Sequence, residues 1–158
     1  MRLTRTEIAA LIPHAGAMCL LDGVAHWDEK RIRCVSRTHL DAGNPLRAGG
    51  RLPMLCGIEY AAQAMAVHGG LARGSRAKPR AGYLASVRDV ACGRDRLDDL
   101  EGELVIEAER LMGDEDRVMY EFRLMAGKTE VLSGRAAVVL EAETASRQPP
   151  DARRQDSE

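Results

Sequence analysis

The chain has 158 residues, enough for one domain that buries about two-thirds of the surface its unfolded chain exposes. Its 23 basic and 24 acidic residues nearly cancel and only 3% of residues are aromatic, which disfavours nucleic-acid binding. Apolar runs are too short for a signal peptide or a membrane span, so the sequence predicts a cytoplasmic protein that does not bind membranes.

The four cysteines are Cys19, Cys34, Cys56 and Cys92, and they form neither a close pair nor the spacing of a metal site. We therefore interpret them as reduced thiols, most of which fill the core. No metal ion or other cofactor is predicted.

The N-terminal segment "LTRTEIAALI" predicts a short helix that ends at Pro13, with Thr4 or Thr6 as its N-cap. Two strand-like segments follow, over 17–28 and 30–40. The next segment, "DAGNPLRAGGRLP", is rich in Gly, Pro and Asn, which is typical of a loop.

The segment "GIEYAAQAMAVHGG" predicts an apolar helix over 57–70. Four further segments, most of which alternate apolar and charged residues, predict antiparallel strands over 81–93, 102–113, 117–127 and 130–142. A helix that is apolar on nearly every side has to be surrounded. The sequence therefore predicts an α+β fold, an antiparallel sheet of about six strands wrapped around one long central helix. This single domain spans residues 1–143, and a polar, Pro-rich tail over 144–158 is predicted to be disordered.

From Gly57 to Val67, Glu59 and Gln63 are the strongly polar side chains, apart from the hydroxyl of Tyr60, and they lie one turn apart on the same face. A buried carboxylate is costly unless it is paired or protonated, and a protonated carboxyl group is what a general acid needs. Alternatively, Glu59 stabilises the helix start through the helix dipole. The spacing alone leaves both interpretations open.

Several segments together resemble the hot-dog-fold β-hydroxyacyl-acyl-carrier-protein dehydratases: "LIPHAGAMCLLDGV", "PMLCGIEYAAQ" and "GYLASVRDV". More narrowly, "IPHAGAM", "NPLR" and "GIEYAAQAMAVHG" resemble the divergent dehydratase-like subunits of aryl polyene pigment pathways. The resemblance implies a hot-dog fold and conversion of a (3R)-3-hydroxyacyl chain on an acyl carrier protein into a trans-2-enoyl thioester. It also implies that Glu59 is the catalytic acid and that Gln63 orients it.

The family's His-Phe-Pro motif, whose histidine removes the α-proton of the substrate, has no counterpart here. The corresponding loop has Pro45, or Asn44 with a one-residue shift, at that position. His14 and His39 are the candidate replacement bases, and each has a structural role as its alternative. His68 is expected to face away from Glu59, and His26 is expected at the surface.

The resemblance also implies a substrate-binding region. Backbone N–H groups from Met54 to Gly57 would polarise the thioester carbonyl, with Asn44 in the altered loop nearby, and Tyr83 and Leu84 would line an acyl slot. An acidic carrier protein would dock on basic side chains around the helix, unless these only form a solvated loop: Arg47, Arg51, Arg73, Arg76, Lys78 and Arg80.

The implied assembly is a homodimer, or a heterodimer with a second dehydratase, in which two sheets join edge to edge. Two other functions stay open: a hot-dog acyl thioesterase, and a non-catalytic subunit that completes the site of a partner dehydratase.

Overall fold

The computed structural model describes residues 2–12, 18–73, 82–114 and 116–140. Within them the chain forms a short helix α1 (Arg5–Ala9) and a long helix α2 (Gly57–Arg73), the latter preceded by a 3-10 turn, Met54–Cys56. The strands are β1 (Leu3–Thr4), β2 (Gly23–Trp27), β3 (Arg31–Ser36), β4 (Gly82–Cys92), β5 (Leu104–Gly113), β6 (Arg117–Ala126) and β7 (Thr129–Leu140).

In the described residues all seven strands join one antiparallel sheet in the order β1-β2-β3-β5-β6-β7-β4. The helix α2 packs against β3, β5 and β6. The predicted α+β architecture is confirmed, and the additional strand is β1, which has only two residues. The predicted disordered tail and the loop 74–81 lie outside the described residues.

Two predicted strands are shorter in the structure than in the sequence analysis. The first begins only at Gly23, because the backbone of Met18 and Leu20 bonds the side chain of Gln63 instead of a neighbouring strand. The second ends at Ser36, and a 3-10 turn follows over Thr38–Leu40. Both strands are shortened where a polar side chain, of α2 or of the loop that follows β3, bonds the backbone of the chain.

The structure decides between the two predicted caps of α1. Thr4 is the N-cap, and its hydroxyl oxygen accepts a hydrogen bond from the backbone N–H of Glu7. Ile8 and Ile12 are buried, and Leu11 lies against Gly70 of α2. The short helix therefore covers the C-terminal half of the central helix.

Gly57 begins α2 at a point where no side chain fits. A Cβ atom there would lie 2.6 Å from Leu132 Cδ2 and 2.9 Å from Leu124 Cδ2, on two strands of the sheet. At Gly69, in the same helix, an added Cβ meets no atom of the described residues within 4 Å. The backbone at Gly57 thus lies directly against two leucine side chains, whereas Gly69 has open space beside it within the described residues.

We expect Gly57→Ala to lower the free energy of unfolding by about 1–3 kcal/mol, because the core around it would be overpacked. Gly69→Ala should raise that free energy by about 0.5–1 kcal/mol, because alanine favours the helix and has room. Urea denaturation of both variants measures the two effects. Equal effects of the two substitutions would contradict the packing described for Gly57.

His68 joins α2 to the sheet through both ring nitrogens. Since a carbonyl oxygen only accepts, Nε2–H donates to the backbone oxygen of Asp28 at 2.8 Å, and Nδ1 accepts from the Tyr120 hydroxyl at 2.8 Å. The ring is fully buried and meets the Tyr120 ring edge to face. His68 is therefore a neutral, structural histidine, in agreement with the prediction that it lies away from Glu59.

Burial lowers the pKa of His68 and also that of the buried His39. In the unfolded chain both should titrate near 6.5, so below that pH the unfolded state binds protons that the folded state does not. We therefore expect the free energy of unfolding to fall from about pH 6.5 downward, by up to ~1.4 kcal/mol per pH unit for each histidine.

Urea denaturation between about pH 7.5 and 5 tests this dependence. His68→Gln should flatten the slope, whereas His26→Gln, at an exposed position, should keep it. A slope that is unchanged in His68→Gln would show that His68 does not carry the dependence.

Candidate active site

The loop that precedes α2 is held by a segment we call the strap, Gly93–Leu100, which directly follows β4. Met54 N–H donates to the backbone oxygen of Asp95 at 2.9 Å, and Leu97 N–H donates to the backbone oxygen of Leu52 at 2.8 Å. A further β-bridge joins Pro53 to Arg96. The strap therefore fixes the position at which the central helix begins.

The backbone N–H groups at the helix start are mostly in use. Besides that of Met54, those of Cys56 and Gly57 bond to carbonyl oxygens of residues 53–55. For Leu55, no acceptor is found among the described residues. Four N–H groups, those from Met54 to Gly57, were predicted to polarise a thioester carbonyl. Within the described residues, the Leu55 N–H is the one that has no acceptor and could bond a substrate oxygen. The roles predicted for Met54 and Gly57 themselves stay predictions.

Glu59 lies in the first turn of α2 and is half-buried, with Gln63 beside it. Gln63 is fully buried, and its Nε2 donates to Met18 O at 2.7 Å and to Glu59 Oε1 at 3.3 Å. Its Oε1 accepts from Leu20 N–H at 2.9 Å. Gln63 thus contacts the carboxyl group of Glu59 and also anchors the N-terminal segment to the helix, a second task that the sequence analysis did not anticipate. Its role in orienting a catalytic acid stays a prediction.

The loop in the place of the His-Phe-Pro motif is tied to α2 by a polar network. Asn44 Nδ2 donates to the Thr38 backbone oxygen at 2.9 Å and to the Tyr60 hydroxyl at 3.0 Å, while its Oδ1 accepts from Leu46 N–H. The hydroxyls of Tyr60 and Thr38 are 2.7 Å apart, and burial raises the pKa of Tyr60. The Asn44 side chain therefore holds the loop, and its predicted contact with substrate stays a prediction.

His39 is fully buried in the turn after β3. Nε2–H donates to the Leu100 backbone oxygen at 2.8 Å, which leaves the lone pair on Nδ1, and Nδ1 has no partner in the described residues. Burial lowers the pKa of the ring, so it is neutral. This tautomer has the lone pair of a base but no access to solvent. His14, the other predicted base, lies outside the described residues.

Tyr83 and Leu84, the predicted lining of the acyl slot, are exposed on β4. This strand is at the edge of the sheet, paired with β7 on one side only, and nearly all of its 11 residues are exposed. A register shift between Arg88 and Ala91 coincides with a positive φ of 54° at Asp89. The residues predicted to contact the acyl chain therefore lie on an open edge of the single chain.

Of the six basic side chains predicted to dock an acidic carrier protein, the structure describes those of Arg47 and Arg51. Arg51 is exposed, but Arg47 is half-buried and donates to the His39 backbone oxygen at 3.0 Å, so Arg47 is a structural residue rather than a free surface cation. Arg76, Lys78, Arg80 and the side chain of Arg73 lie outside what the structure describes.

A depression of about 470 Å³ lies on the outer face of the sheet and contains none of the predicted site residues. Glu107 occupies its floor between Arg33 and Arg123, at 3.0 and 2.6 Å. These charges pair with one another and carry no chemistry for an acyl substrate.

Among the described residues, no group of three or more His, Cys, Asp or Glu side chains is placed to hold a metal ion. In the same residues, no helix has the length and apolar character to cross a membrane. Cys19 and Cys34 are buried in the core as predicted, whereas Cys56 is half-buried and Cys92 is exposed. Burial raises the pKa of Cys34 to about 12.

The family profile of the ApeP dehydratases, described as ApeP-like, matches residues 6–148. The chain belongs to the ApeP-like dehydratase family. No curated protein matches its sequence. The dehydratase heterocomplex ApeI:P from Xenorhabdus doucetiae is similar in structure, with a TM-score of 0.78 and 26% identity over 86% of this chain and 91% of that one.

More distant similarities to this ApeP-like chain are with thioesterases. Thioesterase HI1161 from Haemophilus influenzae has a TM-score of 0.62 and 10% identity, over 88% of this chain and 91% of that one. A mutant of thioesterase PA1618 from Pseudomonas aeruginosa has a TM-score of 0.53 and 13% identity, over 75% and 81%. At these identities the similarity shows the fold alone. The predicted hot-dog fold is thereby confirmed.

Proposed function

We propose that this cytoplasmic protein is a dehydratase subunit that acts on (3R)-3-hydroxyacyl chains carried by an acyl carrier protein and forms trans-2-enoyl thioesters for aryl polyene or fatty-acid-like synthesis. One observation carries the proposal: Glu59 is half-buried at the start of the central helix, and the buried Gln63 holds its carboxyl group. Membership of a dehydratase family supports this reading of the pair.

In this reaction, Glu59 protonates the departing 3-hydroxyl group, which leaves as water, while a base removes the proton from C2. The electron pair of that C–H bond forms the C2–C3 double bond, so atoms and charges balance. A backbone N–H, for which Leu55 is the available candidate at the helix start, stabilises the negative charge that develops on the thioester oxygen.

Among the described residues, no side chain is placed to act as the base, and His14 lies outside them. The loop over 41–53 has no histidine, and Asn44 holds it in place through Tyr60 and Thr38. His39 has a free lone pair but is sealed from solvent. We therefore propose that a partner dehydratase supplies the base opposite Glu59. The similar ApeI:P protein is itself a heterocomplex, which supports a two-subunit arrangement.

Mass spectrometry of a 3-hydroxyacyl carrier protein tests the proposal. The substrate is incubated with this chain alone, and then with this chain and a typical dehydratase that retains its His-Phe-Pro motif. A product that has lost one water supports dehydration. Release of the free acid would instead favour the thioesterase, and a mixture no faster than the partner alone would reject a catalytic role for Glu59.

We expect the isolated chain to be a dimer, because β4 presents an open edge whose exposed apolar side chains include Tyr83 and Leu84. Light scattering at micromolar concentration measures this. Leu84→Lys should shift the protein to monomer, since a charge on an edge strand opposes pairing. Leu111→Lys, an equally exposed position on β5, should leave the dimer intact. A wild-type monomer would contradict the expectation.

A further inference from the structure

Asp98 lies in the strap and has almost no contact with solvent, since its side chain is only 5% exposed. Its Oδ1 accepts from Leu52 N–H at 2.9 Å, and both carboxylate oxygens accept from the guanidinium of Arg96, with Nε at 2.9 and 3.0 Å. The hydrogen bonds from Arg96, and then that from Leu52, hold the pKa of Asp98 far below its usual range. A carboxylate with little solvent contact thus holds the chain two residues before the 3-10 turn that leads into α2.

The position of Leu52 determines where the helix begins, because Leu52 lies two residues before the 3-10 turn that leads into α2. Both backbone polar groups of Leu52 are held by the strap, its N–H by Asp98 and its oxygen by Leu97 N–H. Met54 N–H is held by the strap as well, through Asp95. Glu59 follows in the first turn of α2, so a shift of the strap displaces the acid relative to a bound substrate.

The strap also reaches the turn that follows β3, because the Leu100 backbone oxygen accepts from His39 Nε2–H at 2.8 Å. One segment therefore contacts both the start of the helix that carries Glu59 and the turn Thr38–Leu40. Asp98 adds a side-chain hydrogen bond to the backbone bonds that join this segment to the helix start.

We propose that Asp98 is a positioning residue for the dehydration reaction, which acts through Leu52 and the 3-10 turn to place Glu59 and the Leu55 N–H. This inference rests on the proposed function. Asp98 itself does not contact substrate. Its effect is on the geometry of the acid, so its loss changes the rate of the chemical step more than it changes substrate affinity.

The test compares Asp98→Ala, Asp98→Asn and Asp114→Ala in the full chain, each mixed with a partner dehydratase whose own catalytic acid is replaced. The amide oxygen in Asp98→Asn still accepts from Leu52 N–H. Asp114 is the matched control, because it also accepts backbone N–H bonds, from Asp116 and Arg117, but in the distant turn between β5 and β6. Each variant is measured for kcat, for KM, for thermal unfolding, and by amide NMR of Met54, Leu55 and Glu59.

Asp98→Ala is expected to lower kcat by roughly 10- to 100-fold with KM little changed, because a small displacement of the acid slows the chemical step. Asp98→Asn should recover most of kcat, and Asp114→Ala should match the wild type. A kcat in Asp98→Ala equal to that of the wild type, or reduced only in proportion to the folded fraction, overturns the proposal.

If the wild-type mixture shows no dehydration, the proposed function fails and the NMR measurement decides the positioning claim separately. Amide shifts of Leu55 and Glu59 that change in Asp98→Ala and return in Asp98→Asn support it. Shifts that stay at their wild-type values in Asp98→Ala overturn it.

Discussion

Addition of a dehydratase that retains its His-Phe-Pro histidine is expected to raise the dehydration rate of this chain by roughly 10²–10⁴-fold, the usual contribution of a positioned base. The physical reason is that, in the proposed function, Glu59 with its hydrogen-bonded Gln63 supplies the acid, while the loop over 41–53 contains no histidine. The rate is measured as enoyl product formed over time from a 3-hydroxyacyl carrier protein.

The partner's own activity is removed from this comparison by a partner variant whose catalytic acid is replaced, so that only its histidine remains functional. In this chain, His14→Ala and His39→Gln test self-sufficiency. The glutamine at 39 can still donate to the Leu100 backbone oxygen, so the fold is preserved while the base is lost. Robust activity of the isolated wild type that collapses in either variant would contradict the half-site arrangement.

Glu59→Gln is expected to reduce dehydration in the mixed complex by about 10²–10⁴-fold, because an amide cannot protonate the departing hydroxyl group. Folding should be nearly unchanged, since the amide oxygen can still accept from Gln63 Nε2 and the side chain is only half-buried. The rate is measured as above, and thermal unfolding is followed in parallel.

Glu121→Gln, at an exposed position on β6, is the matched control and should retain full activity. Glu59→Asp keeps the carboxyl group but shortens its reach, so it should fold and be partly active. If Glu59→Gln and Glu59→Asp both unfold the protein, stabilisation of the helix start is the better account of Glu59.

Sequence alone predicted the architecture because the patterns that encode it are local. Most strands from β5 onward alternate an inward residue such as Ile106 with an outward one such as Glu107, and the central helix is apolar on nearly every side. The pairing of Glu59 with Gln63 was likewise predictable from a spacing of four residues.

The parts that sequence reasoning missed depend on contacts between distant segments. Gln63 bonds the backbone of Met18 and Leu20, 43 to 45 positions away, and no local pattern identifies those partners. Asp98 lies in "GRDRLDDL", where nothing distinguishes it from its acidic neighbours until the fold brings Leu52 beside it. His39 ends a predicted strand, a position that does not indicate a fully buried ring.

The open edge of β4 also bears on how the protein behaves before it meets a partner. Eleven residues of extended chain, with one side unpaired and with Tyr83 and Val90 exposed, can accept a strand from any unfolded or misfolded neighbour. The bulge at Asp89 interrupts this edge and shortens the regular stretch available for such pairing. We therefore expect newly made monomers to aggregate or be degraded unless a second copy or a partner chain covers this edge, so synthesis together with a partner should raise the soluble yield.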